Sequence, residues 1–181
     1  MSNLSTSGDG TINPGIYSSI KVTGGEQLTM NPGLYCLDGD FEINGNNSSF
    51  VKGNGVTIYM RSGNFTSNGN AAVQISAPNF VVNDEDGIAG MLIYLATDNA
   101  GEVSLKGNSD SHYSGTIYAA HEDSRVEVGG TGDLTSCFNG APCFGTQLIA
   151  GTVKISGTAT LDVDFNSNQV YFLPARLTLE R

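Results

Sequence analysis

The chain has 181 residues, with 8 Lys plus Arg against 18 Asp plus Glu and a formal charge of −10 at pH 7. Such a length fits one domain with a substantial core, while Gly, Ser, Asn and Thr supply 74 of the residues and exclude a helix bundle, because they favour turns, caps and polar strand faces. The acidic balance offers no basic stripe to a phosphate backbone, so nucleic acid is not expected as a partner, and no apolar run approaches the ~20 residues that cross a bilayer, so no membrane contact is expected of this segment itself.

Residues 1–9 predict a polar linker or the start of a piece cut from something longer, with any export signal or anchor upstream. Residues 10–181 predict one all-β domain. From Gly15 onward a unit recurs: a Gly, a short β-branched and Tyr-rich run, then a second run that alternates apolar with polar and closes on another Gly. Six copies close at Gly24, Gly45, Gly69, Gly107, Gly129 and Gly157, at intervals of 21, 24, 38, 22 and 28. Each is too short to bury its own apolar edge, so stability must come from stacking on its neighbours. That predicts a β-solenoid, a parallel β-helix-like coil of about seven irregular rungs. In the long interval, residues 72–78 predict a further strand making its own rung, and residues 158–181 a last rung and C-terminal cap. The competing fold is an antiparallel β-sandwich or jelly roll, whose short strands between Gly and Asn turns have the same signature.

Cys137 and Cys143 bracket a short turn-rich loop and are a disulfide candidate, against a pair of reduced thiols. Cys36, within Leu34-Tyr35-Cys36-Leu37, predicts a small core hydrophobe, the alternative being a partner upstream of Met1. Five tyrosines, Tyr17, Tyr35, Tyr59, Tyr94 and Tyr118, occupy the first strand of successive units. In register they form a stacked ladder that stiffens the coil or an exposed platform for sugar rings, and core-type neighbours such as Ile58 and Ile93 favour the ladder. Threonines in the Thr-x-Thr pattern of an ice-binding face occur only at Thr158-Ala159-Thr160.

Carboxylate chemistry has two candidates: Asp162 and Asp164, which alternate on one strand and share a face, and Asp38 and Asp40, which flank Gly39 in a turn. Neither pair has a neighbouring cationic cluster to bind an anionic substrate or tune a pKa, so both read as solvated carboxylates. His112 and His121 read as surface residues; Ser111 and Ser114 lie near them, without a nucleophile elbow. Asp84, Glu85 and Asp86, after Asn83, gather oxygen groups that calcium prefers, yet lack the EF-hand and tandem nonapeptide patterns, so a hydrated acidic loop is the plainer reading. No cofactor is expected apart from possible calcium there.

Asn13-Pro14-Gly15-Ile16-Tyr17, its near copy Asn31-Pro32-Gly33-Leu34-Tyr35, and Gly53-Asn54-Gly55-Val56-Thr57-Ile58-Tyr59 form an ordered series with Gly90-Met91-Leu92-Ile93-Tyr94, Ser114-Gly115-Thr116-Ile117-Tyr118-Ala119 and Thr146-Gln147-Leu148-Ile149-Ala150. In that order they resemble the C-terminal repeat region of TadG-like proteins of the tight-adherence (Flp-type) pilus system. The resemblance implies an extracytoplasmic location, periplasmic or cell-surface, with anchoring by a segment missing from this chain, and a Cys36 that pairs with a cysteine of a preceding region. It carries over no catalytic motif. The function expected is a non-enzymatic surface domain for pilus-associated adhesion or assembly, presenting loops 83–87, 97–102, 121–125 and 136–144 to pilus or cell-surface proteins or glycans. Two alternatives are a polysaccharide-active β-helix enzyme using Asp162 and Asp164 or the Asp38 and Asp40 pair, and a self-assembling scaffold that forms homo-oligomers through the solenoid ends.

Overall fold

The structure is a computed structural model and describes residues 4–7, 10–79, 87–106, 108, 110–130 and 143–157. It contains sixteen strands and no helix among the described residues. In chain order they are β1 (Leu4–Ser7), β2 (Gly10–Ile12), β3 (Gly15–Gly24), β4 (Gln27–Met30), β5 (Gly33–Leu37), β6 (Phe41–Gly45), β7 (Phe50–Asn54) and β8 (Val56–Met60). They continue as β9 (Phe65–Gly69), β10 (Ala72–Ser76), β11 (Met91–Leu95), β12 (Glu102–Leu105), β13 (His112–Ala119), β14 (Arg125–Gly130), β15 (Cys143–Ala150) and β16 (Thr152–Gly157).

Every strand pairing is parallel, which establishes the β-solenoid and removes the antiparallel sandwich. The strands stack in three faces. Face A joins β2, β4, β7, β10 and the starts of β13 and β15. Face B joins the start of β3 to β5, β8, β11 and the later parts of β13 and β15. Face C joins the end of β3 to β6, β9, β12, β14 and β16. One turn is therefore three strands, A then B then C, and the described chain makes six such turns after β1.

Two expectations are corrected here. The strand at 72–76 does not make its own rung: β10 is the face A strand of the turn completed by β11 and β12, pairing with β7 on one side and β13 on the other. Within residues 1–9, Leu4–Ser7 is a strand that pairs with β3 from Tyr17 to Lys21. Backbone hydrogen bonding to an otherwise open edge needs no apolar side chain, so a polar sequence can close the coil there. The predicted last rung and cap at 158–181 lie outside the described residues.

Inward side chains line up in columns because parallel register repeats the same position every ~4.8 Å. Ile20, Phe41, Phe65, Val103 and Val126 form one such column on face C, each at most 1% exposed. The rings of Phe41 and Phe65 lie 5.1 Å apart. On face B the column runs Tyr35, Ile58, Ile93, Ile117, all 0% exposed. Burying each such side chain contributes roughly 1.5–3 kcal/mol. At the last described turn the face C positions carry Val153 and Ile155, which are exposed.

The corners are built from backbone contact. At the bend between faces B and C, Gly63 has φ +81°, and a Cβ there would lie 2.6 Å from the carbonyl carbon of Gly39 in the turn before. Only glycine meets both the left-handed backbone and the close approach. Side chains satisfy what the bends leave open: buried Asn99 donates from Nδ2 to the carbonyls of Met60 and Gly63, both 3.2 Å, and accepts from the Gly101 amide at 2.9 Å.

Candidate functional site

Outward positions also repeat in register, so each face presents a row of side chains. On face B the row is Ile16, Cys36, Tyr59, Tyr94, Tyr118 and Ile149. Tyr59 and Tyr94 have ring centroids 5.4 Å apart, Tyr94 and Tyr118 5.2 Å, and all three rings are half-buried. The five tyrosines therefore split. Tyr17 and Tyr35 point inward and stack on each other at 5.9 Å, with the Tyr17 hydroxyl donating to the Asn13 carbonyl and the Tyr35 hydroxyl to Asn31. The reason is a change of phase: Tyr35 faces Ile58, so the register partner of Tyr59 is Cys36 instead. Burial pushes the Tyr35 hydroxyl well above its ordinary range.

Cys36 accordingly is not a core residue; it sits half-buried in the outward row, and burial together with the nearby Asp38 raises its thiol pKa. Cys137 and the side chain of Cys143 lie outside the described residues, as do Asp84, Glu85 and Asp86 and the pair Asp162 and Asp164. Asp38 is ion-paired with Arg61 at 2.7 Å. Asp40 accepts the Asn64 amide at 2.8 Å, while Asn64 in turn accepts the Glu102 amide at 2.8 Å, so this carboxylate begins a polar ladder between turns. Ser111 and Ser114 are both buried, and Ser111 accepts the Val73 amide. His112 and His121 stand at opposite ends of β13; His121 accepts the Asp123 amide through Nδ1 at 3.1 Å. Among the described residues no cluster of His, Cys, Asp or Glu is placed to hold a metal ion.

Loops 97–102 and 121–125 do meet. Ala100, Gly101, Glu102, Glu122, Asp123 and Arg125 line a polar groove of about 520 Å³ beside Asn64 and Thr152. Two of its lining residues, Arg125 and Glu102, form an ion pair at 2.7 Å.

Face C carries the charges. Its outward row is Lys21, Glu42, Thr66, Ser104, Glu127 and Lys154. Lys21 pairs with Glu42 at 2.8 Å. Glu127, largely buried, receives Ser156 Oγ at 2.8 Å and lies between Lys106 at 3.5 Å and Lys154 at 3.4 Å. The Ser156 hydrogen bond and the two ammonium groups hold its carboxyl below the usual range.

Face A carries the second groove, about 510 Å³, lined by Thr29, Met30, Pro32, Lys52, Asn54, Gln74, Ile75, Ser76 and His112 around Gly53. Thr29, Lys52, Gln74 and His112 occupy one register position on four successive turns. These residues escape a two-strand repeat unit, which leaves out face A. The signal that finds them is the apolar alternation of Leu28 and Met30, and of Val73 and Ile75, ahead of each unit's opening glycine.

The fold and its outward rows define a parallel β-solenoid repeat protein. The chain belongs to a family known as the domain of unknown function DUF7305, whose model matches residues 2–166. No curated protein and no solved structure matches it. Among the described residues no helix is long and apolar enough to cross a membrane.

Proposed function

We propose that the chain is a non-enzymatic extracytoplasmic surface domain that acts in pilus-associated adhesion or assembly by presenting a rigid face to a protein or glycan partner. The observation that carries this reading is the outward row Tyr59, Tyr94 and Tyr118, three half-exposed rings held at 5.2 to 5.4 Å by the stacking of turns. Tyrosine supplies contact area with little side-chain entropy to lose and a hydroxyl at its tip, which suits it to recognition surfaces. Inter-rung hydrogen bonding keeps the row rigid before contact, so little ordering cost falls on binding. The resemblance of the repeats to the TadG-like region supports the location and the pilus association.

The test is attachment and piliation of cells carrying the triple variant Tyr59→Ser, Tyr94→Ser, Tyr118→Ser in the full-length protein, with surface display checked by antibody. Loss of adherence or of pili at normal display is the expected result. Unchanged adherence and piliation at normal display removes the proposal.

A further inference from the structure

Face A differs in charge from the rest of the molecule. The chain carries −10, yet among the described residues no carboxylate lines the face A groove. A neighbouring groove of about 530 Å³ on the other side of Lys52, lined by Gly10, Thr11, Gly25, Gln27, Thr29 and Phe50, has none either among the described residues. The cations sharpen the contrast. Lys21, Arg61, Lys106, Arg125 and Lys154 are each ion-paired with a carboxylate. Among the described residues Lys52 alone has no such partner; its ammonium stands 5.1 Å from the Phe50 ring centroid, where a cation–π contact holds it at the surface between the two grooves.

The remaining polar groups are neutral and aligned. Thr29, Gln74 and His112 share the register position of Lys52 on adjacent turns, so the row offers a hydrogen-bonding group every ~4.8 Å along the column axis. Asn54 and Ser76 form a second row, joined by a 2.6 Å hydrogen bond from Ser76 Oγ to Asn54 Oδ1. Gln74 is held by its Nε2 donating to the Asp110 carbonyl at 3.1 Å. Partial loss of hydration lowers the pKa of His112, which favours the neutral ring. Exposed Pro32 adds an apolar surface at the groove, while Met30 and Ile75 lie beneath it in the core.

We infer that face A is a binding site for an extended carboxylate-bearing glycan lying along the column axis, with Lys52 as its anion anchor. The unpaired ammonium takes the carboxylate, the row of hydroxyl, amide and imidazole groups takes the sugar hydroxyls, and exposed Pro32 takes the C–H face of a ring. A peptide is disfavoured because strand addition needs an open backbone edge, and the backbones of β4, β7 and β10 are already paired on both sides. This site stands on a different face from the tyrosine row and does not depend on it.

The test titrates the purified chain with oligogalacturonate and with alginate oligosaccharides, alongside cello-oligosaccharides as neutral counterparts and an oligoglutamate peptide of matched charge. Binding is followed by calorimetry and by amide and imidazole shifts of Gln74 and His112 in NMR. At least one carboxylated oligosaccharide is expected to bind and to shift Gln74 and His112. Lys52→Gln, with its melting temperature unchanged, is expected to weaken that binding about tenfold or more, while Tyr94→Ser leaves it unchanged. No binding of either carboxylated probe at concentrations up to about 5 mM, binding that Lys52→Gln does not weaken, or equal binding of the cello-oligosaccharide or the oligoglutamate each overturns the inference.

Discussion

Faces A and C are built from the same parallel register but use their outward rows in opposite ways. On face C the charges close on one another: Lys21 on Glu42, and Lys106 and Lys154 on Glu127. On face A the one charge, Lys52, has no counter-ion among the described residues and stands in a row of neutral groups. Stacking makes this difference possible, because a side chain's partners are the residues one turn above and below. A face that sets opposite charges on adjacent turns satisfies itself, whereas a face with one cation among Thr, Gln and His remains available to a ligand.

Both faces rest on interior columns, so the largest effects should come from beneath them and should not distinguish the two. Phe65→Ala, under face C, removes a fully buried ring that packs on Phe41 at 5.1 Å, and is expected to cost about 3–5 kcal/mol. Denaturant unfolding measures it, and a loss below about 1 kcal/mol would contradict the stacked column. Gly53→Ala, under face A, places a methyl 2.7 Å from Val56 Cγ2 and 3.0 Å from Met30 Cβ, and overpacking of this kind costs about 1–3 kcal/mol. A stabilised Gly53→Ala variant would show that this turn has room the register denies it.

Outward substitutions then separate the faces. Glu127→Gln breaks a largely buried carboxylate away from Ser156 and two lysines and is expected to lower stability by about 1 kcal/mol. Lys52→Gln on face A is expected to change stability by less than about 0.5 kcal/mol. The acid titration sharpens the contrast further. Because the folded-state pKa of Glu127 lies below its ordinary value of 4.5, its contribution is present at pH values above 4.5 and is lost as the pH falls through the folded pKa. Melting temperature followed from pH 6 downward should therefore fall less steeply for Glu127→Gln than for the wild type below about pH 4.5, while Lys52→Gln tracks the wild type. Identical acid profiles for Glu127→Gln and the wild type would remove the charge closure assigned to face C.

The β-solenoid was legible because face B and face C strands begin and end on glycines that the bends require. Gly24, Gly45 and Gly69 are register partners, as the closing positions of the units imply. Further along the correspondence shifts by one residue: Gly157 pairs with Gly130, and Gly129 with Ser156. The face A strand of each turn was harder to see, because β4, β7 and β10 open on no common glycine, β4 and β10 alternate only two buried apolar residues each, and β7 sets Val51 against a buried Gly53. Residues 72–76 alone stood out there, since the long interval isolates them. The split of the tyrosines was not legible at all. Whether a Tyr in a Gly-x-Tyr or Gly-x-x-x-Tyr unit points in or out depends on where the bend falls relative to the glycine: Tyr35 lies two residues after Gly33 and points inward, Tyr59 four after Gly55 and points outward. Lys52 and Gln74 carried no local motif, and the relation that makes them a site spans 22 residues of sequence and one step of register.

The register itself can be tested covalently with the native Cys36. Its partner one turn on is Tyr59, whereas Tyr94 lies two turns away. Adjacent turns separate Cα atoms by ~4.8 Å, within the span of a disulfide, and two turns by about twice that, beyond it. Under mild oxidation Tyr59→Cys should join to Cys36, with peptide mapping locating the bond, and Tyr94→Cys should not. Efficient joining of Cys36 to position 94, with none to position 59, would contradict the parallel stacking from which both the tyrosine row and the face A groove arise.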